Sequence, residues 1–132
     1  MNPDELKART KTFALEAVCF CSDLFRITEI RHLTGQLLRC ATSVAANYRA
    51  ACRAKSTPDF IAKLGIVEEE ADESMFWLEL IKDFSTVRNL GLDQEISLQL
   101  ARLLNEADQL LAITVASKKT ARNNSHRNNR QS

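Results

Sequence analysis

The amino-acid sequence predicts an all-α protein, an antiparallel up-down-up-down four-helix bundle, and three observations carry that prediction. The 132 residues include only three Gly and two Pro, and a chain poor in helix breakers but rich in Ala, Leu, Glu, Lys and Arg favours helices. Apolar residues recur at alternating steps of three and four in four long segments, which is the spacing of one helix face. The breaks between these segments are short, and short connections make consecutive helices antiparallel.

The first two helices are expected to form one pair of neighbours. Asn2 can cap the first helix, Pro3 fits its first turn, and two acidic residues follow where the helix dipole favours negative charge. Its apolar stripe continues to Ile27. The second helix is expected to open at Thr28 and to carry its own stripe from there to Ala51.

The clearest break in the chain, at residues 56–59, precedes the third helix. Ser56 or the next residue can cap the third helix, Pro58 fits its first turn, and Asp59 occupies the position of a capping-box acid. That helix is expected to end near Gly91, which can adopt a left-handed cap conformation. Asp93 then begins the fourth helix.

One domain with a real core suits a chain of this length, and we assign it to residues 1–119. Residues 120–132 have no apolar period and are predicted to be a disordered, basic and polar tail. Between residues 118 and 132 there are five basic side chains and no acidic one, so the first 117 residues carry a net charge of −4. The folded body is therefore mildly acidic and the tail is basic.

The four cysteines lie within apolar helical segments and form no zinc-like pattern. Cys19 and Cys21 point about 200° apart around a helix, which disfavours shared metal ligation. The sequence shows no signal peptide and no apolar run of about 18 residues or more. We expect buried, reduced cysteines in a cytoplasmic protein without a membrane segment.

A row of polar residues runs along one face of the second helix. Its members are Arg39, Ser43 and Asn47, which are spaced by four. Folding the second and third helices together places Arg39 near Glu73. We interpret these four residues as a structural polar core with a buried ion pair that fixes helix register. A polar pocket for a ligand is the alternative. Gly65, unusual inside a helix, is expected to mark a close helix crossing.

Two partial metal motifs are present. Glu69-Glu70-x-x-Glu73 fits the first half of the magnesium site of all-α nucleotide pyrophosphohydrolases, but Lys82 stands where the second half needs an acid. Glu29-x-x-His32 is half of a di-iron carboxylate motif. No Gly-rich phosphate loop, nucleophile elbow or Cys/His dyad is found. The sequence thus predicts no catalytic residue, no metal site and no cofactor.

Basic residues gather before the proline break. Five of them and no acid occur between residues 30 and 58, and Arg49 and Arg53 lie four apart, one turn from Lys55. These three residues are predicted to contact nucleic-acid phosphates, and the candidates in the tail are Lys118, Lys119 and Arg122. The alternative is that the two arginines pair with acids on neighbouring helices and the tail only solubilises the protein.

A group of large apolar residues is predicted to form an interface between copies of the chain. Its members are Tyr48, Met75, Phe76 and Trp77. Met75 and Trp77 flank the expected apolar stripe, and large apolar side chains outside a core indicate a subunit interface. A wider core is the alternative.

The segment from Gly35 to Ile81 closely resembles the bacterial "four helix bundle protein" family, which includes the intervening-sequence proteins encoded within large-subunit ribosomal RNA genes. The resemblance spans roughly residues 7–115. The chain departs from the family pattern at Ala50, where many relatives carry a glutamate. The positions that match the family pattern are Gln36, Arg39, Ser43, Val44, Asn47, Ser56, Asp59, Phe60 and Glu73.

The resemblance implies a four-helix bundle that associates into a ring, typically a pentamer, without an established biochemical activity. A structural cousin, the accessory protein of diversity-generating retroelements, binds nucleic acid and a reverse transcriptase. We therefore expect a non-enzymatic, homo-oligomeric scaffold or interaction protein with structured RNA or DNA as candidate partner. The alternatives are a purely structural ring without nucleic-acid binding and a magnesium-dependent nucleotide pyrophosphohydrolase.

Overall fold

The computed structural model describes residues 1–131, which form four antiparallel α-helices and no β-strand. The consecutive helices α1, α2, α3 and α4 pack against one another in chain order, and α1 meets α4 less extensively. This confirms the predicted all-α four-helix bundle. A short 3-10 turn at Thr28–Ile30 joins α1 to α2, and the helices are α1 (Pro3–Leu24), α2 (Arg31–Cys52), α3 (Thr57–Val87) and α4 (Gln94–Gln131).

Side-chain caps fix three of the helix starts. Asn2 Oδ1 accepts a hydrogen bond from the backbone N–H of Glu5 at 2.8 Å at the start of α1. Ser56 Oγ accepts from the N–H of Asp59 at 3.2 Å at the start of α3. Asp93 Oδ1 accepts at 2.8 Å from the N–H three residues on, at the start of α4. Each cap satisfies one of the backbone donors that a helix start leaves unpaired.

The end of α3 differs from the sequence prediction in its cap residue. Asn89 has a φ of 50°, its N–H bonds to the carbonyl of Thr86 at 3.2 Å, and the N–H of Leu90 bonds to the carbonyl of Ser85 at 3.0 Å. These two bonds are those of a Schellman cap, with Asn89 in the left-handed position. Gly91 is also left-handed, at a φ of 67°, but it lies beyond the cap in the connecting loop.

The core lies along the axis of the bundle and takes side chains from all four helices. Burial of each large apolar side chain stabilises the fold by roughly 1.5–3 kcal/mol, so the periodic stripes supply most of the driving force. The largest of the fully buried side chains are Phe13, Phe20, Leu24, Ile30, Leu37, Val44, Leu64, Val67, Leu78, Ile81, Leu103 and Leu110.

Gly65 does not mark a close helix crossing. A Cβ atom built at this position would meet no heavy atom within 4 Å. The prediction of a close approach beside the second helix is therefore wrong, because α2 and α3 leave open space at this level.

The C-terminal segment is helical as far as the structure describes it, which corrects the expectation of a disordered tail from residue 120. Helix α4 continues to Gln131, and Ser132 lies outside the described residues. Ala121 and Ser125 are half-buried and continue the inner face of α4 below the buried Thr114. Lys118 forms an ion pair with Glu68 of α3. The division of the chain at residue 119 stays a prediction.

Within residues 1–131, no helix has a stretch long and apolar enough to cross a membrane. All four cysteines are free thiols. Cys21 and Cys40 are buried as predicted, whereas Cys19 and Cys52 are exposed. The prediction of four buried cysteines is thus wrong for two of them, which lie on the outer faces of α1 and α2.

Candidate nucleic-acid interface

A basic groove lies on the surface where α2 ends and α3 begins. It has a volume of about 350 Å³ and is lined by Ala46, Arg49, Ala50, Arg53, Lys55, Asp59 and Lys63. The two alanines leave room between the helices because their side chains are small. Four of the seven lining side chains are cationic and one is acidic, so the groove favours an anion.

Asp59 is the acidic residue of this groove, and it is already bonded within the chain. Its Oδ1 accepts from Lys63 Nζ at 2.6 Å, and its Oδ2 accepts from the backbone N–H of Lys55 at 3.1 Å. The hydrogen bond from Lys63, followed by that from the Lys55 backbone, lowers the pKa of Asp59. Asp59 therefore orders the α2–α3 connection and offsets the charge of Lys63.

Arg49, Arg53 and Lys55 keep their charges unpaired. All three side chains are exposed, and none of them forms an ion pair within residues 1–131. The alternative interpretation, in which the two arginines pair with acids on neighbouring helices, does not apply within a single chain. Their positive charge is free to meet an external anion.

The fold gathers basic side chains at one end of the bundle. We call this end the hairpin end and define it as residues 1–12, 45–68 and 106–131, because the Arg9–Glu106 and Lys118–Glu68 ion pairs bring these stretches to the same level. It contains twelve basic and six acidic side chains, a net charge of +6, whereas the rest of the chain contains six basic and eleven acidic ones, a net charge of −5. The excess of acidic side chains thus lies in the other part of the bundle.

The predicted contacts of the C-terminal segment divide into two kinds. Lys119 and Arg122 are exposed at the hairpin end, and so are Arg127 and Arg130. Lys118 is instead half-buried in its ion pair with Glu68. Five of the six predicted phosphate contacts therefore lie on one basic end, and Lys118 serves to hold α4 against α3.

The predicted contact between Arg39 and Glu73 is present, but it lies on the surface rather than in the core. Arg39 Nη2 is 2.5 Å from Glu73 Oε1, and Arg39 Nη1 is 3.4 Å from Glu70 Oε2. The Arg39 side chain is 50% exposed and that of Glu73 is 37% exposed. The expectation of a buried pair is wrong because the row sits at the rim of the α2–α3 contact.

The pKa values of the two glutamates at this rim shift in opposite directions, that of Glu73 downward through hydrogen bonds and that of Glu70 upward through burial. The pKa of Glu73 is lowered by the hydrogen bond from Arg39 and then by that from Trp77 Nε1, whose donor is 3.2 Å from Glu73 Oε1. Burial raises the pKa of Glu70, and the charge of Arg39 opposes that rise. Arg39 thus ties two turns of α3 to one turn of α2.

Ser43 and Asn47 do not extend this contact to α3. Asn47 Nδ2 donates to the backbone carbonyl of Ser43 at 2.9 Å, within α2. The buried polar contact between the two helices is another one, from Ser74 Oγ to Cys40 Sγ at 3.3 Å. Ser74 occupies an inner position of the apolar stripe of α3. A polar residue at such a position is a sequence signal for a buried polar contact, and the contact with Cys40 could have been predicted from it.

Replacing Arg39 by Ala is expected to lower the stability only slightly, because an exposed ion pair contributes little to the free energy of unfolding. The midpoint of urea denaturation checks this expectation. Arg102→Ala, which removes another exposed ion pair, with Glu16, is the matched control and should behave alike. A clearly larger drop in the midpoint for Arg39→Ala alone would show that the pair is buried after all.

The apolar residues predicted to form a subunit interface are placed differently from one another. Tyr48 is 4% exposed and belongs to the core, so it cannot reach a second copy. Met75 and Trp77 are half-buried and pack against the core. Phe76 is 53% exposed, with its ring centroid 5.1 Å from that of Trp77. Two further leucines are exposed, Leu15 on α1 and Leu98 on α4. The sequence analysis did not single them out, because neither interrupts the apolar periodicity of its helix.

The carboxylates of the partial magnesium motif do not form a metal site. Glu70 and Glu73 both bind Arg39, and Glu69 is exposed. In the part of the chain that the structure describes, no group of three or more His, Cys, Asp or Glu side chains is arranged to hold a metal ion. His32 of the other partial motif lies with its ring edge-on to Trp77.

The fold and its surfaces define a four-helix-bundle protein with one strongly basic end. Residues 4–113 match the 23S rRNA-intervening sequence protein family, and the chain belongs to this family. It is also similar to a crystal structure, solved at 1.70 Å, of a protein with unknown function from the S23 ribosomal protein family of Bacteroides thetaiotaomicron VPI-5482. The two share 29% sequence identity with a TM-score of 0.75, over 90% of this chain and 99% of the other. No curated protein matches the sequence. The family resemblance read from the sequence is confirmed.

Proposed function

We propose that this protein is a non-enzymatic, self-associating interaction module that binds structured RNA through its hairpin end, in the cytoplasm. The observation that carries the proposal is the separation of charge, with a net +6 at the hairpin end and −5 elsewhere. A phosphate backbone is attracted to the first surface and repelled by the second. Binding is therefore end-on.

The chemistry of the groove favours phosphate over carboxylate or peptide ligands. Guanidinium groups bind phosphate oxygens in a bidentate manner, and two of them are present here, on Arg49 in the last turn of α2 and on Arg53 at its C-cap. The exposed cations of α4 flank the start of α3 at the same end. Such a distributed set of cations fits a backbone with a phosphate at every nucleotide.

RNA is preferred to DNA as the partner for two reasons. The family to which the chain belongs is named for an intervening sequence of 23S rRNA, and that name supports a connection with structured RNA. A compact patch at the end of a bundle also suits the folded, irregular surface of RNA, which proteins recognise largely by shape and backbone contacts.

The exposed large apolar side chains support self-association. Phe76, Leu15 and Leu98 each expose more than half of their surface, and exposed apolar side chains of this size favour contact with another protein surface. A pentameric ring is the assembly that the family resemblance implies. A ring would also place several hairpin ends side by side and raise the avidity for one RNA molecule.

A titration of the full chain with a fluorescent RNA stem-loop tests the proposal. Binding through four or five phosphate contacts should weaken by about a hundredfold between 50 and 200 mM salt. Fluorescence anisotropy measures the affinity. Absence of binding at 50 mM salt, or an affinity that salt does not change, would support the purely structural ring instead.

Replacing Phe76 by Glu is expected to raise the dissociation constant of the assembly by about tenfold or more, because a charge replaces an apolar contact at an interface. Light scattering over a concentration series measures the mass. Thr86→Glu, which adds the same charge at an exposed polar position of α3, is the matched control and should leave the mass unchanged. Equal assembly of the wild type and Phe76→Glu would exclude this face as the interface.

A further inference from the structure

A second cavity lies between the end of α3 and the start of α4, far along the bundle from the hairpin end. Its volume is about 430 Å³, which is within the range of small-molecule sites. Exposed residues such as Lys82 and Ala101 form its mouth, and the buried Leu100 and Ser85 form its floor. The full lining is Lys82, Ser85, Thr86, Leu92, Ser97, Leu100, Ala101 and Leu104.

Ser85 provides an observation that is independent of the cavity's shape. The residue is 8% exposed, and among the described residues its hydroxyl is the buried side-chain polar atom that lacks a hydrogen-bond partner. Folded proteins rarely leave such a group unsatisfied. The neighbouring Thr86 is different, because its hydroxyl donates to the carbonyl of Lys82 at 3.0 Å. The hydroxyl oxygen is closed off from solvent, so a rotation of the Ser85 side chain about its Cα–Cβ bond is needed to turn it into the cavity. A ligand there would then supply the partner that Ser85 lacks.

The two walls of the cavity differ in chemistry. On the α3 wall, Lys82 and Ser85 are three residues apart and so lie on the same helix face. Lys82 is the charged residue of the lining, and its ammonium group makes no ion pair within residues 1–131. The α4 wall is mostly apolar, with Leu100 and Leu104 facing the cavity.

We propose that this cavity binds a small amphipathic carboxylate, such as a medium-chain fatty acid. The carboxylate accepts hydrogen bonds from the Lys82 ammonium group and the Ser85 hydroxyl, and the hydrocarbon chain packs against Leu100 and Leu104. A neutral alcohol of the same length lacks the ion pair. An alkyl amine is repelled by Lys82.

Calorimetric titration of the full chain with octanoate, octanol and octylamine tests the ligand class. Octanoate should bind about threefold more tightly than octanol, which is the effect of one exposed ion pair, and octylamine should bind more weakly than both. Lys82→Gln should abolish the advantage of octanoate and leave octanol unchanged. Ser85→Ala should weaken octanoate by about fivefold, the effect of one hydrogen bond, while the ligand-free variant keeps or raises its Tm.

A variant that fills the cavity tests the location of the site. Ala101→Phe places a ring at the mouth and should abolish octanoate binding. Ala112→Phe, at another exposed position of α4 outside the lining, is the matched control and should bind like the wild type. Circular dichroism confirms that both variants fold. Failure of the wild type to bind octanoate, equal affinity for octanol, or binding by a folded Ala101→Phe would each overturn the proposal. RNA binding at the opposite end is unaffected by any of these results.

Discussion

Reversing the charges of Arg49 and Arg53 to Glu is expected to lower the affinity for a stem-loop RNA by on the order of a hundredfold at 0.1 M salt. Each lost phosphate contact removes the entropy gained from one released counterion, and it flattens the plot of log affinity against log salt concentration by about 0.7–0.9. The double variant should therefore reduce that slope by about 2. Anisotropy titrations at several salt concentrations measure both quantities.

A matched reversal at the other end of the bundle is the control for this experiment. Arg26 and Arg88 are exposed residues near the ends of α1 and α3, away from the hairpin end. Arg26→Glu with Arg88→Glu makes the same change in net charge, yet it should alter the affinity by less than about threefold, because charges more than a Debye length from the RNA are screened. Equal losses in the two double variants would mean that net charge, and not the hairpin end, governs binding.

The contribution of α4 can be separated in the same assay. Neutralising Arg122, Arg127 and Arg130 to Gln keeps the helix length and the small inner residues that continue its packing face. Loss of affinity with a slope reduced by 2 to 3 would place all three at the RNA. An unchanged slope would restrict the site to the groove between α2 and α3.

The order and packing of the helices could be predicted from the sequence because the relevant signals are local. Caps such as Ser56 depend on residues three positions apart, and the apolar stripes depend on the helical period. Pairing of Arg39 with Glu73 followed from counting along the two helices from their turn. Its exposure could not be predicted, since that depends on how α2 and α3 are rotated about their axes.

Three other features could not be predicted from the sequence. The first 117 residues sum to a net charge of −4, which conceals a basic end that exists only because four separate segments meet there. The helical continuation of α4 was missed because its inner positions, Ala121 and Ser125, are small and carry no apolar period. The cavity beside Ser85 was missed because its shape depends on how the end of α3 and the start of α4 are placed around their connecting loop.

Raising the pH from 9 to 11 is expected to lower the free energy of unfolding by about 3 kcal/mol, beyond the loss of surface ion pairs. Burial, assisted by the nearby Cys40, raises the pKa of Cys21 from its ordinary 9.0 to about 12. Burial also raises the pKa of Tyr48 from 10.0 to about 12, with Cys52 adding to the effect. In the unfolded chain both groups return to their ordinary pKa values.

The sign follows from which state holds the protons more tightly. Between the ordinary and the raised pKa, the folded protein keeps its neutral thiol and phenol while the unfolded chain has released those protons, so stability is complete below pH 9 and declines as the pH rises toward 12. Each such group contributes up to about 1.4 kcal/mol per pH unit within its window. Chemical denaturation at a series of pH values gives the slope directly.

Substitution of single cysteines isolates the thiol from the lysines that titrate in the same range. Cys21→Ala loses some stability at every pH through the space it leaves, but its stability should decline by about 2 kcal/mol less than that of the wild type between pH 9 and 11. Cys19→Ala removes an exposed thiol and should keep the slope of the wild type. Parallel curves of stability against pH for the wild type and Cys21→Ala would contradict the prediction. They would show that the thiol ionises as readily in the folded protein as in the unfolded chain, and therefore that the α1–α2 contact around it admits water.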